Sequence, residues 1–357
     1  MAHPGVDTHP PFRRRPLAAH PLGDGRQGQI FPHSGRGHSP LDTIESLEIL
    51  SPGPLTSVQD LGRYGFGRYG VPPSGALDSF SLRVANLLVG NPEGEAGLEI
   101  TLMGLKVRFL TDLTVALCGA DLQPHLNDIP LEMWRSHIVR KGDTLFLKAL
   151  RNGCRAYLAV GGGISLKPVL GSKSTNLASR FGGYQGRALR KGDRLFSRAP
   201  GQHFKSAGKV LSPEARPCHT GDWVLRVLLG PQDQDFPEES TKLFLGSSFR
   251  VSSQSDRTGI RLSGPALHRK RELGDSIISE GIVPGAIQIP GDSQPIILLV
   301  ETVTGGYRKM ATVISADLPL LGQVKPGDRV RFLEVSMQEA ITALQALESP
   351  IHTLKKN

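Results

Sequence analysis

Apolar residues come in short runs along this chain rather than in long periodic blocks. Leu98 to Leu102, Leu105 to Leu110, Thr114 to Cys118, Thr144 to Leu147 and Ala156 to Val160 are each closed by turn residues such as Met103-Gly104, Asp112, Asn152-Gly153 and Gly161-Gly162-Gly163. Runs of this length bounded by Gly, Asn and Asp predict β-strands. The same pattern predicts strands at Ile44 to Leu50, Trp223 to Leu229, Arg250 to Ser253, Ala286 to Pro290, Pro295 to Val300 and Ala311 to Ser315. Helical spacing is confined to three places. Phe80, Val84, Leu87 and Leu88 recur behind Asp78, a helix N-cap, and Gly90-Asn91-Pro92 stops that helix. Pro237 to Leu245 reads as a short helix, and Ser336 to Leu347 as an amphipathic one with Ile341, Leu344 and Leu347 on one face. The chain is therefore mainly β with short helices.

One turn-and-strand unit recurs. Arg140-Lys141-Gly142-Asp143 precedes TLFL, Arg190-Lys191-Gly192-Asp193 precedes RLFS, and Lys325-Pro326-Gly327-Asp328 precedes RVRF. Each predicts a tight turn feeding an alternating strand, a device for closing a barrel used more than once. Ala199 to Gly221 is polar, with scattered Pro and Gly, and reads as a linker or crossing loop. Residues 1–45 hold seven prolines, five of the 11 histidines and Arg13-Arg14-Arg15 without apolar periodicity, and are expected to be disordered.

The net charge is +9, and residues 1–45 carry five Arg against four acids, so the remainder is basic in its own right. That suits a small anionic substrate or an acidic partner. A Lys/Arg stripe interleaved with aromatics is missing, which argues against nucleic acid. Cys118, Cys154 and Cys218 are far apart and odd in number, so neither a disulfide framework nor a zinc site is expected, and no metal is. This fits a reducing cytoplasm. Apolar runs such as Ile296 to Val300 are too short for a bilayer, and the N-terminus has no signal-like apolar stretch.

Two polar, glycine-bearing loops stand out as candidate chemistry. Ser57 to Asp78 carries Asp60, Gly62, Arg63, Ser74 and Asp78; Ser255 to Pro265 repeats the mixture with Asp256, Arg257 and Gly259. Gly161-Gly162-Gly163 follows a strand as a phosphate loop would, but lacks the Gly-Lys-Ser/Thr ending.

Seven stretches together carry a resemblance. They are Gln59-Asp60-Leu61-Gly62-Arg63, Ser74-Gly75-Ala76-Leu77-Asp78, Ala85-Asn86-Leu87-Leu88-Val89-Gly90-Asn91, Gly171-Ser172-Lys173-Ser174-Thr175, Ser255-Asp256-Arg257-Thr258-Gly259, Pro284-Gly285-Ala286-Ile287-Gln288 and Thr304-Gly305-Gly306-Tyr307. From about Leu47 to Phe332 the chain resembles the biotin-dependent carboxyltransferase-type domain. That domain is shared by the C subunit of 5-oxoprolinase, the antagonist of the Kip kinase inhibitor and the carboxyltransferase part of urea amidolyase. The resemblance implies two cyclophilin-like β-barrel halves, residues 46–205 and 206–335, between a tail at 1–45 and a C-terminal helix and tail at 336–357. It also implies a bacterial, cytoplasmic protein with a site where loops of both halves meet. One departure is Val303, where the family carries Gln, with Glu301 near the place of its Asp.

The expected catalytic residues are Arg63, Arg257, Glu280 and Tyr307. Asp60, Ser74, Asp78, Ser172, Thr175, Asp256, Thr304, Gly305 and Gly306 are expected to bind substrate. Arg63 and Arg257 would hold a carboxylate, carboxybiotin or acyl phosphate through bidentate bonds, with Asp60 and Asp256 orienting them. Backbone N–H groups at Gly305-Gly306 would stabilise negative charge, and Tyr307, Ser279 or Glu280 would relay a proton. Replacing either arginine by alanine is then expected to abolish turnover and spare the melting temperature. The alternative is that both Asp–Arg pairs are local ion pairs fixing their loops.

By resemblance the chain is one component of an ATP-dependent 5-oxoprolinase that opens the 5-oxoproline lactam to glutamate. It would act with an A-like component and a Kip-inhibitor-like B component; ATP is used by the complex and no cofactor is held covalently. A biotin-dependent carboxyltransferase acting on urea or a related amide, with carboxybiotin supplied by a partner, is the first alternative. A non-catalytic protein that neutralises a kinase inhibitor is the second.

Overall fold

Each Arg/Lys-x-Gly-Asp turn closes on itself by the same hydrogen bond. The Asp carboxylate accepts from the backbone N–H of the first residue: Asp143 from Arg140 (2.7 Å), Asp193 from Arg190 (2.7 Å) and Asp328 from Lys325 (3.1 Å). Gly142, Gly192 and Gly327 take φ of +96°, +88° and +92°, a region that favours glycine. Each glycine N–H then reaches a neighbouring strand, at Phe109, Ile49 and Val251. The sequence echo is thus a structural one, and it starts three of the strands described next.

In this computed structural model residues 43–198, 203–219 and 221–356 are described, and they belong to one unit, Pro40–Asn357. The expected disordered tail lies outside the described residues except at its end, where the first strand already begins at Thr43. In the first half, one sheet runs in the order Arg194–Arg198, Thr43–Pro52, Leu105–Phe109, Thr144–Leu147, Pro124–Leu126, Ile129–Pro130. A second runs Leu55–Gln59, Gly97–Thr101, Arg155–Val160, Leu113–Gly119, Ser136–Val139. Both contribute to one core that includes Ile49, Leu98, Val107, Leu117 and Leu158. Leu113–Gly119 and Arg155–Val160 are buried along their whole length, which is why they read as continuous apolar runs.

The second half is a closed barrel, in the order Asp222–Leu229, Arg308–Val313, Ala286–Ile289, Ile296–Leu298, Gly259–Ser263, Phe249–Val251, Arg329–Glu334. It closes by a parallel pairing of the last strand with the first, Trp223 beside Val330 and Leu225 beside Phe332. Closure leaves this sheet without edges. Stacked Phe244 and Phe332, 4.3 Å between centroids, plug one part of its core.

Among the described residues, four α-helices accompany the strands: α1 (Ser79–Leu88), α2 (Glu238–Gly246), α3 (Leu318–Leu321) and α4 (Met337–Lys356). The helix expected to end near Leu347 continues through Pro350 to Lys356. Tertiary contacts outweigh the proline's missing N–H. Ile351 is fully buried among Phe80, Val84 and Leu88, and Arg83 on α1 grips both oxygens of Glu348 at 2.5 and 2.7 Å. Those bonds hold the Glu348 carboxyl below its ordinary pKa. The stabilisation is present above the unfolded value, about 4.3, and is lost as pH falls. Glu348→Gln is expected to cost about 1 kcal/mol at pH 7 by thermal melting, a figure suited to a half-exposed bidentate pair. As pH falls below the unfolded value, the difference between the variant and the parent should shrink.

Among the described residues no helix is long and apolar enough to cross a membrane. Cys118 and Cys154 are buried free thiols, as expected, and Cys218 is exposed.

Candidate functional site

The loop from Asp60 to Asp78 crosses itself at two glycines. A Cβ on Gly62 would lie 2.8 Å from the Ser74 carbonyl oxygen, and one on Gly75 2.9 Å from the Gly62 nitrogen; both residues have positive φ. Only glycine permits this approach. The crossing carries Asp60 and Arg63 into the protein rather than toward solvent: they are 8% and 2% exposed.

Inside, Asp60 does not orient Arg63. Its carboxylate accepts from the Gly62 N–H (2.8 Å), the Ser172 hydroxyl (2.6 Å), the Lys173 N–H (2.6 Å) and the Ser174 hydroxyl. The Gly171–Thr175 loop is thus an anion-binding loop whose anion is the protein's own Asp60. Thr175 is engaged as well, its hydroxyl donating to the Val58 carbonyl at 2.9 Å. Ser172 and Thr175, expected to touch substrate, therefore fix the loop. Arg63 donates to the carbonyls of Ser174 and Val169 and stacks over Phe181 at 4.7 Å; its Nη1 is buried without a partner.

Ser74 and Asp78 lead toward the second half. Ser74 donates its N–H to the Val300 carbonyl at 2.9 Å, and its hydroxyl accepts from Asn176 at 3.0 Å. Asp78 is the predicted N-cap, accepting from Ser81 N–H (2.9 Å) and Ser81 hydroxyl (2.6 Å). It also accepts from Gln323 at 2.6 Å, so both oxygens serve the structure rather than a ligand. Burial raises the Asp78 pKa.

Arg257, 4% exposed, occupies the seam between the halves. It donates to Glu301 (2.7 Å), to Glu99 and to the Gly75 carbonyl (2.6 Å). Burial alone would lower its pKa, but Glu99 and Glu301 hold it above the ordinary value. The expected partner, Asp256, is instead exposed and accepts from the N–H groups of Thr258 (2.7 Å) and Gly259 (3.2 Å), closing its own turn. Glu301 also accepts from Ala178 at 3.2 Å, tying the first half to Arg257. Glu99 accepts further bonds from the Leu77 N–H (2.9 Å) and the Tyr157 hydroxyl (2.8 Å). Sequence reasoning missed Glu99 as a member of this network. Its signal was a carboxylate at the centre of the apolar run Leu98-Glu99-Ile100, which a buried strand tolerates only beside a counter-charge.

Two depressions meet here. A cleft of about 470 Å³ between the halves is lined by Arg155, Leu177, Ala178, Asp256, Arg257, Thr258 and Glu301. A groove of about 390 Å³ shares Asp256 and Thr258 with it and adds Thr304, Gly305, Gly306 and Tyr307. The structure thus gathers five expected residues, Asp256 and Thr304 to Tyr307, around one groove, with Arg257 in the adjoining cleft. Arg63, Asp60, Ser172 and Thr175 form a separate buried cluster. Gly305 lies so close to Gln288 that a Cβ would stand 2.4 Å from its amide nitrogen. Tyr307 is 40% exposed and so accessible to a ligand in the groove.

Glu280 pairs with Gly305 in a two-residue ladder, but its carboxylate is bound to Lys309 and to Gln232 (2.7 Å). Those bonds hold its pKa below the ordinary value. Its carboxylate is therefore committed to Lys309 and Gln232, an arrangement that favours the anion. The triple glycine is not a phosphate loop: the Glu95 side chain fills the space beside Gly163, and an anion would face an anion there. Among the described residues no cluster of His, Cys, Asp or Glu comes together to hold a metal.

Comparison with known proteins places this geometry among relatives. The family model described as carboxyltransferase domain, subdomain A and B, matches residues 69–334. The C subunit of 5-oxoprolinase from Escherichia coli is 41% identical over 303 residues, covering 84% of this chain and 94% of that protein. The urea amidolyase of Lachancea kluyveri is 37% identical over 331 residues, 87% of this chain but 18% of that protein. Among solved structures, the urea amidolyase of K. lactis superposes with a TM-score of 0.82 at 34% identity, over 87% of this chain and 20% of that one. The chain therefore spans about a fifth of the length of the urea amidolyases it matches.

Proposed function

Because the chain belongs to the family of the carboxyltransferase domain, subdomain A and B, we propose that it is the C subunit of an ATP-dependent 5-oxoprolinase. The supporting observation is coverage: the likeness takes in 94% of the E. coli C subunit, against 18% of a urea amidolyase. The reaction adds water across the lactam C–N bond of 5-oxoproline to give glutamate, coupled to hydrolysis of ATP to ADP and phosphate. An A-like and a B-like component complete the complex, and the free thiols fit a reducing cytoplasm.

In this reading the groove holds the lactam. Thr304 and the backbone at Gly305-Gly306 face its carbonyl oxygen, where negative charge develops, and the Tyr307 hydroxyl delivers a proton to the departing nitrogen. Arg257 is a positioning residue. Each of its three nitrogens donates to the protein, to Glu301, Glu99 and Gly75, so it sets the cleft wall rather than gripping substrate. Val303, where the resemblance expects Gln, stands between Thr302 and Thr304, which line the groove.

The test is reconstitution with both partner components. 5-Oxoproline-dependent ATP hydrolysis with glutamate release supports the reading, and its absence from a competent mixture overturns it. Tyr307→Phe is expected to lower kcat about a hundredfold or more, the scale of a lost general acid, with no change in melting. A kcat within a few-fold of the parent removes Tyr307 from the chemistry. A carboxyltransferase acting on urea is the second reading, favoured by the superposition on urea amidolyase, and biotin-dependent CO₂ exchange would select it.

A further inference from the structure

The segment read as a linker or crossing loop supplies Arg216, Pro217 and His219 to a cavity of about 610 Å³ that shares no lining residue with the cleft or the groove. Arg216 and His219 stand between this cavity and a smaller one of about 320 Å³, lining both. His219 is 9% exposed, and its Nε2 is closed off from solvent without a hydrogen-bond partner. Burial pushes its pKa down to about 4, so the ring is neutral at physiological pH. A buried polar nitrogen left unmatched is costly, and in native proteins it is usually matched by something.

Arg216 supplies the charge. Its Nε and Nη2 donate to the Leu211 carbonyl at 3.0 and 2.9 Å, which fixes the guanidinium plane. Its ion pair with Glu132 spans 3.9 Å, too long for a hydrogen bond, and this leaves donors for another acceptor. Opposite lie the apolar faces of Leu131 and Trp134, the latter 6% exposed. The lining also holds Asp121, paired with Arg151 at 3.4 Å, and convergent polar groups beside an apolar face mark a small-molecule site.

We propose that this cavity binds a small carboxylate with an apolar body. The body rests on Leu131 and Trp134, and the carboxylate accepts from Arg216 and from the Nε2–H tautomer of His219. The site lies close behind the cleft: a Cβ on Gly153 would be 3.1 Å from His219 Nδ1, and the next two residues, Cys154 and Arg155, line the cleft.

Benzoate is the probe, titrated into the full chain while tryptophan fluorescence is followed. The chain has two tryptophans; Trp134 lines the cavity and the Trp223 ring lies 6.1 Å from His219. Benzoate should change the emission saturably, and benzamide, which keeps the shape without the charge, should bind at least about tenfold more weakly, a difference of about 1.4 kcal/mol. His219→Phe and Arg216→Gln should each weaken benzoate by a similar factor. A crystal soaked in benzoate should carry it against Arg216 and His219, a readout that needs no variant. No saturable response at millimolar benzoate, equal binding of benzamide, undiminished binding in both variants, or density elsewhere each overturns the proposal.

Discussion

Replacing Arg257 by alanine is expected to cost about 3–5 kcal/mol of stability, the cost of removing one partner from a buried ion pair. The reason is local and electrostatic. Glu99 and Glu301 have side chains 2% exposed, and without the guanidinium two carboxylates would share a dry seam. The Gly75 carbonyl would lose its donor too. For a protein of this size that translates to a melting temperature lower by roughly 10 °C. Arg257→Lys keeps the charge but cannot reach three acceptors from one ammonium, and should fall between. The exposed neighbour change Asp256→Asn keeps an acceptor for its turn and should leave the melting temperature where it is. An Arg257→Ala protein melting within a few degrees of the parent would show the seam to be wet and the pairing weak. This reverses the expectation from sequence, in which the alanine variant loses activity but not stability.

Gln323→Ala should be nearly as damaging. Gln323 is fully buried and uses both ends of its amide. Its oxygen accepts from the N–H groups of Cys154 and Arg155, both at 3.0 Å; its nitrogen donates to Asp78 (2.6 Å) and the Arg155 carbonyl (2.9 Å). Truncation strands two buried N–H groups, those of Cys154 and Arg155, while Asp78 keeps Ser81 and the Arg155 carbonyl keeps the Ala120 N–H. At about 1–3 kcal/mol for each unsatisfied group, and less than additive, the total should be about 3 kcal/mol. Urea denaturation would register it as a lower midpoint with an unchanged slope. Faster amide exchange at Cys154 and Arg155 would localise the loss. An unchanged midpoint would mean that water replaces the amide.

Much of the fold was legible. The Asp78 cap, the stop after Leu88 and the repeated Gly-Asp turns follow from local chemistry, and local chemistry is written in neighbouring residues. What resisted was non-local. Asp60 sits three residues from Arg63 in sequence, yet three of its carboxylate's four partners come from a loop 112 to 114 residues away. Arg257 follows Asp256 directly but is answered by Glu99, 158 residues upstream. Spacing suggested two local pairs; the chain crossing made at Gly62 and Gly75 turned both into long-range ones. Thr304 to Tyr307 do line one groove together, because they are contiguous in the chain. The end of α4 was misjudged because Pro350 signals a stop locally, while Arg83 and the pocket around Ile351 overrule it from α1.

The seam also bears on how the polypeptide can be divided. Severed in the loop before Trp223, the amino-terminal fragment would keep Glu99 with Arg155 3.8 Å away, and the carboxy-terminal fragment Arg257 with Glu301, each short of one charged partner on a freshly bared surface. Neither piece would be at ease alone. Mixed in equal amounts they should find each other, and high salt should slow that reunion.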